Sequence, residues 1–411
     1  MSLLSTSNSK DKRPDQADIL PFVRRILTFL FPFMFIALTM EAVLWKTGDS
    51  WTPTYTLRHQ QHSTHESIYG PRFFSDQYSL YKLSAIEHRH PSILAIGSSR
   101  VMQFRDIMFP PLETEFYNGG GLLRNAFDLE AFAAILVREG LILPRVLIVG
   151  LDPWWLRTNH GEITWLNDPD ERFTFAGHIE AFRQILKKDA LQKVTAAIFS
   201  PEVPLFGYDA IGTSARVEGT GFRKDGSRLY PLKVFLDFLK TPVYVDRESP
   251  PIIDRIQMAR REYSLPAIVD EERVRLIIAA LSIIKNKGVE VFAFMPPYST
   301  EAFQALEDNQ PLKRWWNFYK NEFPTLLEKH DIVVVPVSHP IQSGLDDTYM
   351  FDGFHPSEVY IAHLVKSLIE KAPNSSYLKN VNLEDLLEII KRAAIPLAFD
   401  LPNTPSDPSH R

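Results

Sequence analysis

The chain has 411 residues, 45% of them hydrophobic and 23% charged, with 30 Pro, 28 Phe, 7 Trp and no Cys. This composition excludes a disordered, collagen-like or disulfide-framed chain, and the missing thiols exclude thiolate metal sites and cysteine nucleophiles. A net charge of −5 gives no global attraction for nucleic acid, which is not expected as a partner.

Residues 1–18 are polar and carry Pro14, which reads as a flexible tail, with residues 1–25 on the cytoplasmic side. Ile26–Trp45 follows, an apolar run with one charge, Glu41. At about 1.5 Å per residue its length matches the hydrocarbon core of a bilayer. Arg24 and Arg25, with Lys12 and Arg13 behind them, precede the run. That basic excess predicts a cytoplasmic amino terminus, a single-pass anchor at 26–45 in the inner (cytoplasmic) membrane, and a periplasmic or extracellular body. A retained anchor is favoured over a buried soluble helix or a cleaved signal peptide, because no small-residue cleavage site follows cleanly. Trp45 and Trp51 suit the outer interface.

Residues 46–88 read as a polar stalk or arm. His59, His62 and His65 recur every third position there, but no carboxylate motif accompanies them, and an arm is preferred to a metal site. No metal or cofactor is expected.

From residue 89 the pattern is that of an α/β domain. Short apolar runs at 92–97, 145–150, 289–295 and 331–337 read as buried parallel strands, and 125–138, 271–285 and 356–370 as amphipathic helices. The expected architecture is a three-layer sandwich around a mainly parallel sheet, over residues 89–372 and preceded by one transmembrane helix. Residues 152–268 break the rhythm and read as an insertion, a lid or partner surface. Residues 373–411 add one helix, within NLEDLLEIIKRAA, and a Pro-rich tail.

Four stretches carry candidate chemistry. In Gly97-Ser98-Ser99-Arg100 a Ser stands at a strand-to-helix corner, where backbone donors and a helix dipole would favour negative charge. The alternative is a pair of capping serines. In Asp352-Gly353-Phe354-His355-Pro356 a carboxylate three residues before an imidazole can fix its tautomer. Alternatively Asp352 caps and His355 packs. Tyr117-Asn118-Gly119-Gly120-Gly121 reads as a turn with free N–H groups, or as a flexible loop. Gly150-Leu151-Asp152-Pro153-Trp154-Trp155 sets a carboxylate and two indoles at a sheet edge, lining a pocket or capping.

The ordered set GSSR, YNGGG, VGLDP and DGFHP resembles the blocks of the SGNH (GDSL-like) hydrolase superfamily, whose fold is flavodoxin-like. More narrowly it is similar to the membrane-anchored bacterial branch with DltD-like and AlgX/AlgJ-like proteins, over roughly residues 90–370. The resemblance implies Ser99 as nucleophile, His355 as base, Asp352 as its orienting carboxylate, and the N–H groups of Ser99 and Gly120 (or Gly119) as oxyanion donors. Ser98, Arg100, Asn118, Asp152, Trp154 and Trp155 are candidate pocket residues. The family's Gly-x-Asn-Asp block departs here: Asp152 stands where a donating Asn is usual, and an ionised carboxylate cannot donate. Either Asp152 points elsewhere, or it is protonated, or the oxyanion hole is built from Ser99 and Gly120, the last being the expectation.

The implied activity is O-acyl transfer, most plainly O-acetyl transfer, onto a cell-envelope glycan or exported polymer, with a multi-spanning membrane O-acyltransferase as partner. Trp stacking on sugar rings agrees with a glycan. An esterase or deacetylase of the same substrates is the alternative, and a non-catalytic glycan-binding or scaffold subunit of an export complex is the third.

Overall fold

The computed structural model describes residues 16–74, 78–138, 142–158, 171–199 and 208–400. Most of the expected amino-terminal tail, two stretches of the insertion and the Pro-rich tail lie outside them.

The protein is α/β. Its main sheet holds β2 (Ile93–Gly97), β3 (Phe116–Gly120), β4 (Val146–Gly150), β8 (Glu290–Phe294) and β9 (Val333–Val335). Every pairing in it is parallel, in the order β3-β2-β4-β8-β9. Counted within the sheet this is 2-1-3-4-5, so the chain reverses its winding direction between β2 and β4. Such a switch point opens a crevice at the carboxyl ends of the strands, where α/β proteins bind ligands.

The strands are apolar throughout because both faces are covered. Leu94, Ile96, Leu147, Val149, Val291 and Ala293 face one core, shared with the helices Tyr78–Arg89, Ala126–Arg138 and Glu271–Lys285. Their alternates Ile93, Ala95, Val146, Ile148, Phe292 and Phe294 face the other, under the helices Glu358–Lys371 and Leu383–Lys391. Each fully buried Leu or Ile side chain stabilises the fold by roughly 1.5–3 kcal/mol. The strand at 331–337 is shorter than the apolar run predicts, and the helix expected from Pro356 starts at Glu358, capped by the Ser357 hydroxyl.

The arm and the insertion belong together. β1 (Glu66–Tyr69), from the arm, pairs in parallel with β5 (Tyr208–Ile211) and antiparallel with β6 (Gly221–Phe222), which pairs with β7 (Arg228–Leu229). The second sheet therefore draws one of its two inner strands from before the α/β body and the rest from the middle of it.

One long helix, Gln16–Thr47, precedes all this; its stretch from Leu20 is long and apolar enough to cross a membrane. It starts earlier than the expected 26–45 span, inside the segment read as a flexible tail. Its end is no loose stalk: Leu44 is buried, and Asp49 accepts from Thr47 Oγ1 (2.6 Å), Arg72 N (2.6 Å), Thr213 N (3.0 Å) and Thr213 Oγ1 (2.6 Å).

Candidate active site

Ser99 follows β2 directly. Gly97 makes the corner: its φ is +151°, and a Cβ there would stand 2.4 Å from the Val101 side chain and 3.0 Å from the Gly150 carbonyl. Only glycine lets the chain leave the strand this sharply between two neighbours. The Ser98 hydroxyl caps the next turn by accepting from Arg100 N at 3.3 Å. That turn is a single 3₁₀ turn, Ser99–Val101, and not the expected helix, so no helix dipole acts on Ser99.

The second half of the site comes from beyond β9. There Phe351 N donates to the His355 carbonyl (2.9 Å), Ser357 N to the Tyr349 carbonyl (2.9 Å) and Ser299 N to the Gly353 carbonyl (2.9 Å), which pins a tight loop. This loop carries His355 to the switch point, with Nε2 2.9 Å from Ser99 Oγ across 256 positions of sequence. His355 Nδ1 lies 2.7 Å from Asp352 Oδ2. The other Asp352 oxygen accepts from Phe354 N (3.0 Å) and His355 N (2.9 Å). Burial pushes the Asp352 carboxyl up, but the His355 charge, its ring hydrogen bond and the two backbone donors outweigh it, and the net shift is down. A carboxylate held ionised behind Nδ1 orients the ring so that Nε2 faces the hydroxyl.

Arg100 joins the two halves. Fully buried, it donates from Nε to the Phe354 carbonyl (2.8 Å), from Nη1 to Asp152 Oδ1 (3.1 Å) and from Nη2 to the Pro296 carbonyl (2.8 Å) and that of Pro297. Its guanidinium lies 4.3 Å from the centre of the Tyr298 ring. The sequence offered Arg100 as a pocket residue; the structure makes it a clamp beneath the pocket. Nothing local signals this, because its partners lie some 50 to 250 positions away.

The two N–H groups expected as oxyanion donors are engaged differently. Ser99 N has no hydrogen-bond acceptor among the described residues. Gly120 N–H, the expected second donor, instead donates to Asn118 Oδ1 at 2.6 Å. The expected turn at 117–121 is the edge strand β3, and Asn118 is buried structure and not pocket lining: its Nδ2 donates to the carbonyls of Val101 (3.0 Å) and Phe104 (2.8 Å). A Cβ on Gly120 would meet Met102 N at 2.8 Å, so glycine here allows the segment after Ser99 to lie against the strand. Asp152 points elsewhere, at Arg100. Burial pushes its carboxyl up against the lowering effect of Arg100, and one of its oxygens is buried with no hydrogen-bond partner.

Over Ser99 opens a cleft of about 410 Å³ lined by Ser98, Trp154, Phe354, Arg124, Arg228 and Glu262, among others. Trp154 is thus at the pocket as expected, whereas Trp155 is fully buried in the core behind it. Sequence reasoning missed the two arginines. Arg228 comes from the insertion, held where its N donates to the Met102 carbonyl at 2.9 Å.

Glu248, Asp352 and His355 bring donor atoms within 4.8 Å of one another, a spacing that a cation would accept. These donors are already engaged, with each other and with Arg255, which pairs with Glu248. Within the set the hydrogen bond joins Asp352 and His355, while Glu248 turns to Arg255. The histidines of the arm do not converge either: His59 packs on the Trp51 ring and His62 Nδ1 lies 2.7 Å from the Arg58 carbonyl.

A hydroxyl, an imidazole and a carboxylate in this order can move a proton off Ser99 as its oxygen attacks an acyl carbon. Comparison of the chain with family models, with curated proteins and with solved structures returns no match.

Proposed function

We propose that the protein is a membrane-anchored serine acyltransferase of the SGNH type that works outside the cytoplasmic membrane on an acylated envelope glycan or exported polymer. The single observation that carries the reading is the hydrogen-bonded series Ser99, His355, Asp352 at the switch point of the sheet. The parallel sheet's 2-1-3-4-5 strand order, which flavodoxin-like sheets share, supports the reading.

In the proposed reaction Ser99 Oγ forms a bond to the ester carbonyl carbon while its proton passes to His355 Nε2. The tetrahedral oxyanion takes the Ser99 N–H, and the cationic side of the cleft adds a favourable field. The C–O bond of the donor ester then breaks, and His355 returns its proton to the departing alkoxide. A hydroxyl of the acceptor glycan reverses the sequence: its proton goes to His355, its oxygen takes the acyl group, and Ser99 recovers its proton. With water in place of the sugar the same steps are ester hydrolysis. That second reading is favoured by Ser99 itself, which is part-exposed in an open cleft.

The Arg24–Arg25 flank supports a cytoplasmic amino terminus and an exported body. By the resemblance, the partner that passes acyl groups across the membrane is a multi-spanning membrane O-acyltransferase. The test offers the full-length protein an activated acetyl ester and then candidate glycans. A burst of released alcohol, followed by acetylated glycan, supports transfer. A burst followed by acetate alone supports hydrolysis. No burst from folded protein removes both.

A further inference from the structure

The insertion contains two helices, Phe175–Ile185 and Lys188–Phe199, joined by a short turn. Their inner faces close on the first helix: Ala181, Ile185, Ala190 and Val194 are buried with Leu44, Phe73 and Phe74, and Met40 and Val43 pack at the margin. His178 Nδ1 lies 2.9 Å from Glu41 Oε2. At 1.5 Å per residue, Met40–Leu44 is the last 6 Å or so of a span of about 30 Å that begins at Ile26. The hairpin therefore grips the first helix at the level where it leaves the hydrocarbon.

Large apolar side chains stand bare on these helices, in the turn before the first (Phe173) and at its C-cap (Leu186). Phe175 is 83% exposed, Phe199 80%, Leu186 69% and Phe173 68%. Phe175, Ile179 and Leu186 fall on one stripe of the first helix of the pair and its cap; Leu191, Thr195 and Phe199 make the corresponding stripe on the second. Thr195 Oγ1 donates back to the Leu191 carbonyl (2.8 Å), as Thr28 and Thr39 do to carbonyls of the membrane helix, so the stripe presents no unsatisfied hydroxyl. Water does not favour four large side chains this exposed on one small hairpin. Exposed Arg183, Lys187, Lys188 and Asp189 border the stripe, Arg183 pairing with Glu180 at 3.3 Å, and the long basic stems are of the kind that hold a charged head at a headgroup layer.

We infer that the hairpin 171–199 is a second membrane element, lying in the interface of the leaflet at which the first helix emerges, with Phe175, Leu186 and Phe199 among the acyl chains. Its occupant is lipid: the hairpin packs on the Met40–Leu44 end of the first helix, whose side chains Phe29, Phe31 and Phe35 are likewise more than 60% exposed. Trp45, Trp51 and Tyr55, with ring centres 4.7–6.1 Å apart, form an aromatic cluster at the same end of that helix. Two contacts at one depth fix the tilt of the body on the membrane. The inference rests on reading the first helix as the span.

The chain has no Cys, so single cysteines at Phe31, Phe175, Leu186 and Phe199 of the full-length protein take spin labels without ambiguity. In phosphatidylcholine–phosphatidylglycerol vesicles at low protein density, access to oxygen is compared with access to a water-soluble nickel chelate. The expected result is oxygen access exceeding nickel access several-fold at all four labels. Nickel-dominated access at the three hairpin labels, with Phe31 lipid-like, overturns the inference and leaves the span intact. Shielding of the hairpin labels from both reagents also overturns it, because protein then covers the face. Nickel-dominated access at Phe31 overturns the span itself.

Discussion

Arg100 Nε donates to the Phe354 carbonyl at 2.8 Å, so the residue that follows Ser99 grips the residue that precedes His355. The distance between hydroxyl and imidazole is thereby set by a buried guanidinium and not by either loop alone. Arg100→Ala leaves the Asp152 carboxylate buried without its cation, and losing one partner of such a pair costs about 3–5 kcal/mol. Arg100→Lys keeps a charge beside Asp152 but loses the planar fork. It is expected to unfold closer to wild type in a denaturant titration while its acylation burst slows strongly in the folded fraction. Equal losses in both measurements would make Arg100 structural only.

Asp352→Asn keeps the shape of the relay but presents the wrong hydrogen-bond partner to Nδ1. By analogy with a Ser-His-Asp site, acylation should fall about 10⁴-fold. Ser99→Ala should abolish the burst, with little change in the thermal unfolding midpoint because Ser99 is part-exposed.

Stability should depend on pH through two carboxyls with opposite sign. The Asp352 carboxyl sits below its ordinary range in the folded protein, so its contribution is present above that range and is lost as pH falls through the folded value. Asp106 is pushed up to about 7 by burial and by the neighbouring Asp225 carboxylate, against the pull of Arg105. Its folded form holds a proton more tightly than the unfolded chain. The associated stability is therefore complete below the unfolded value near 3.8 and is lost as pH rises through about 7. Asp106→Asn should unfold at a higher temperature than wild type at pH 8, and the advantage should vanish by pH 4.

Asn118→Ala withdraws the amide that satisfies the Val101 and Phe104 carbonyls and the Gly120 N–H. Each buried group left unsatisfied costs about 1–3 kcal/mol. A lowered midpoint in denaturant is expected. A variant as stable as wild type would show that water takes over those bonds.

The four apolar strands and the helices over them were legible because burial on both faces leaves continuous apolar runs and 3.6-residue stripes. The edge strand β3 was not. Asn and Gly rank low as strand formers, and what selects them here is the close approach of Met102, a tertiary fact. The small sheet was hidden for another reason: its strands are two to four residues long, and Glu66 pairs with Tyr208 from far along the chain. Ser99, Asp352 and His355 were legible as residue types at a strand end and in a tight loop. The Arg100 clamp and the engaged Gly120 N–H were not, because each depends on where distant backbone carbonyls and the Asn118 amide end up.

The most direct measurement is covalent labelling with a fluorophosphonate, which reports a serine activated by its own base, followed by peptide mapping. The account predicts label on Ser99 of the full-length protein and none on Ser98, with labelling lost in His355→Ala although the variant stays folded. Folded protein that takes no label, or takes it equally without His355, would contradict it.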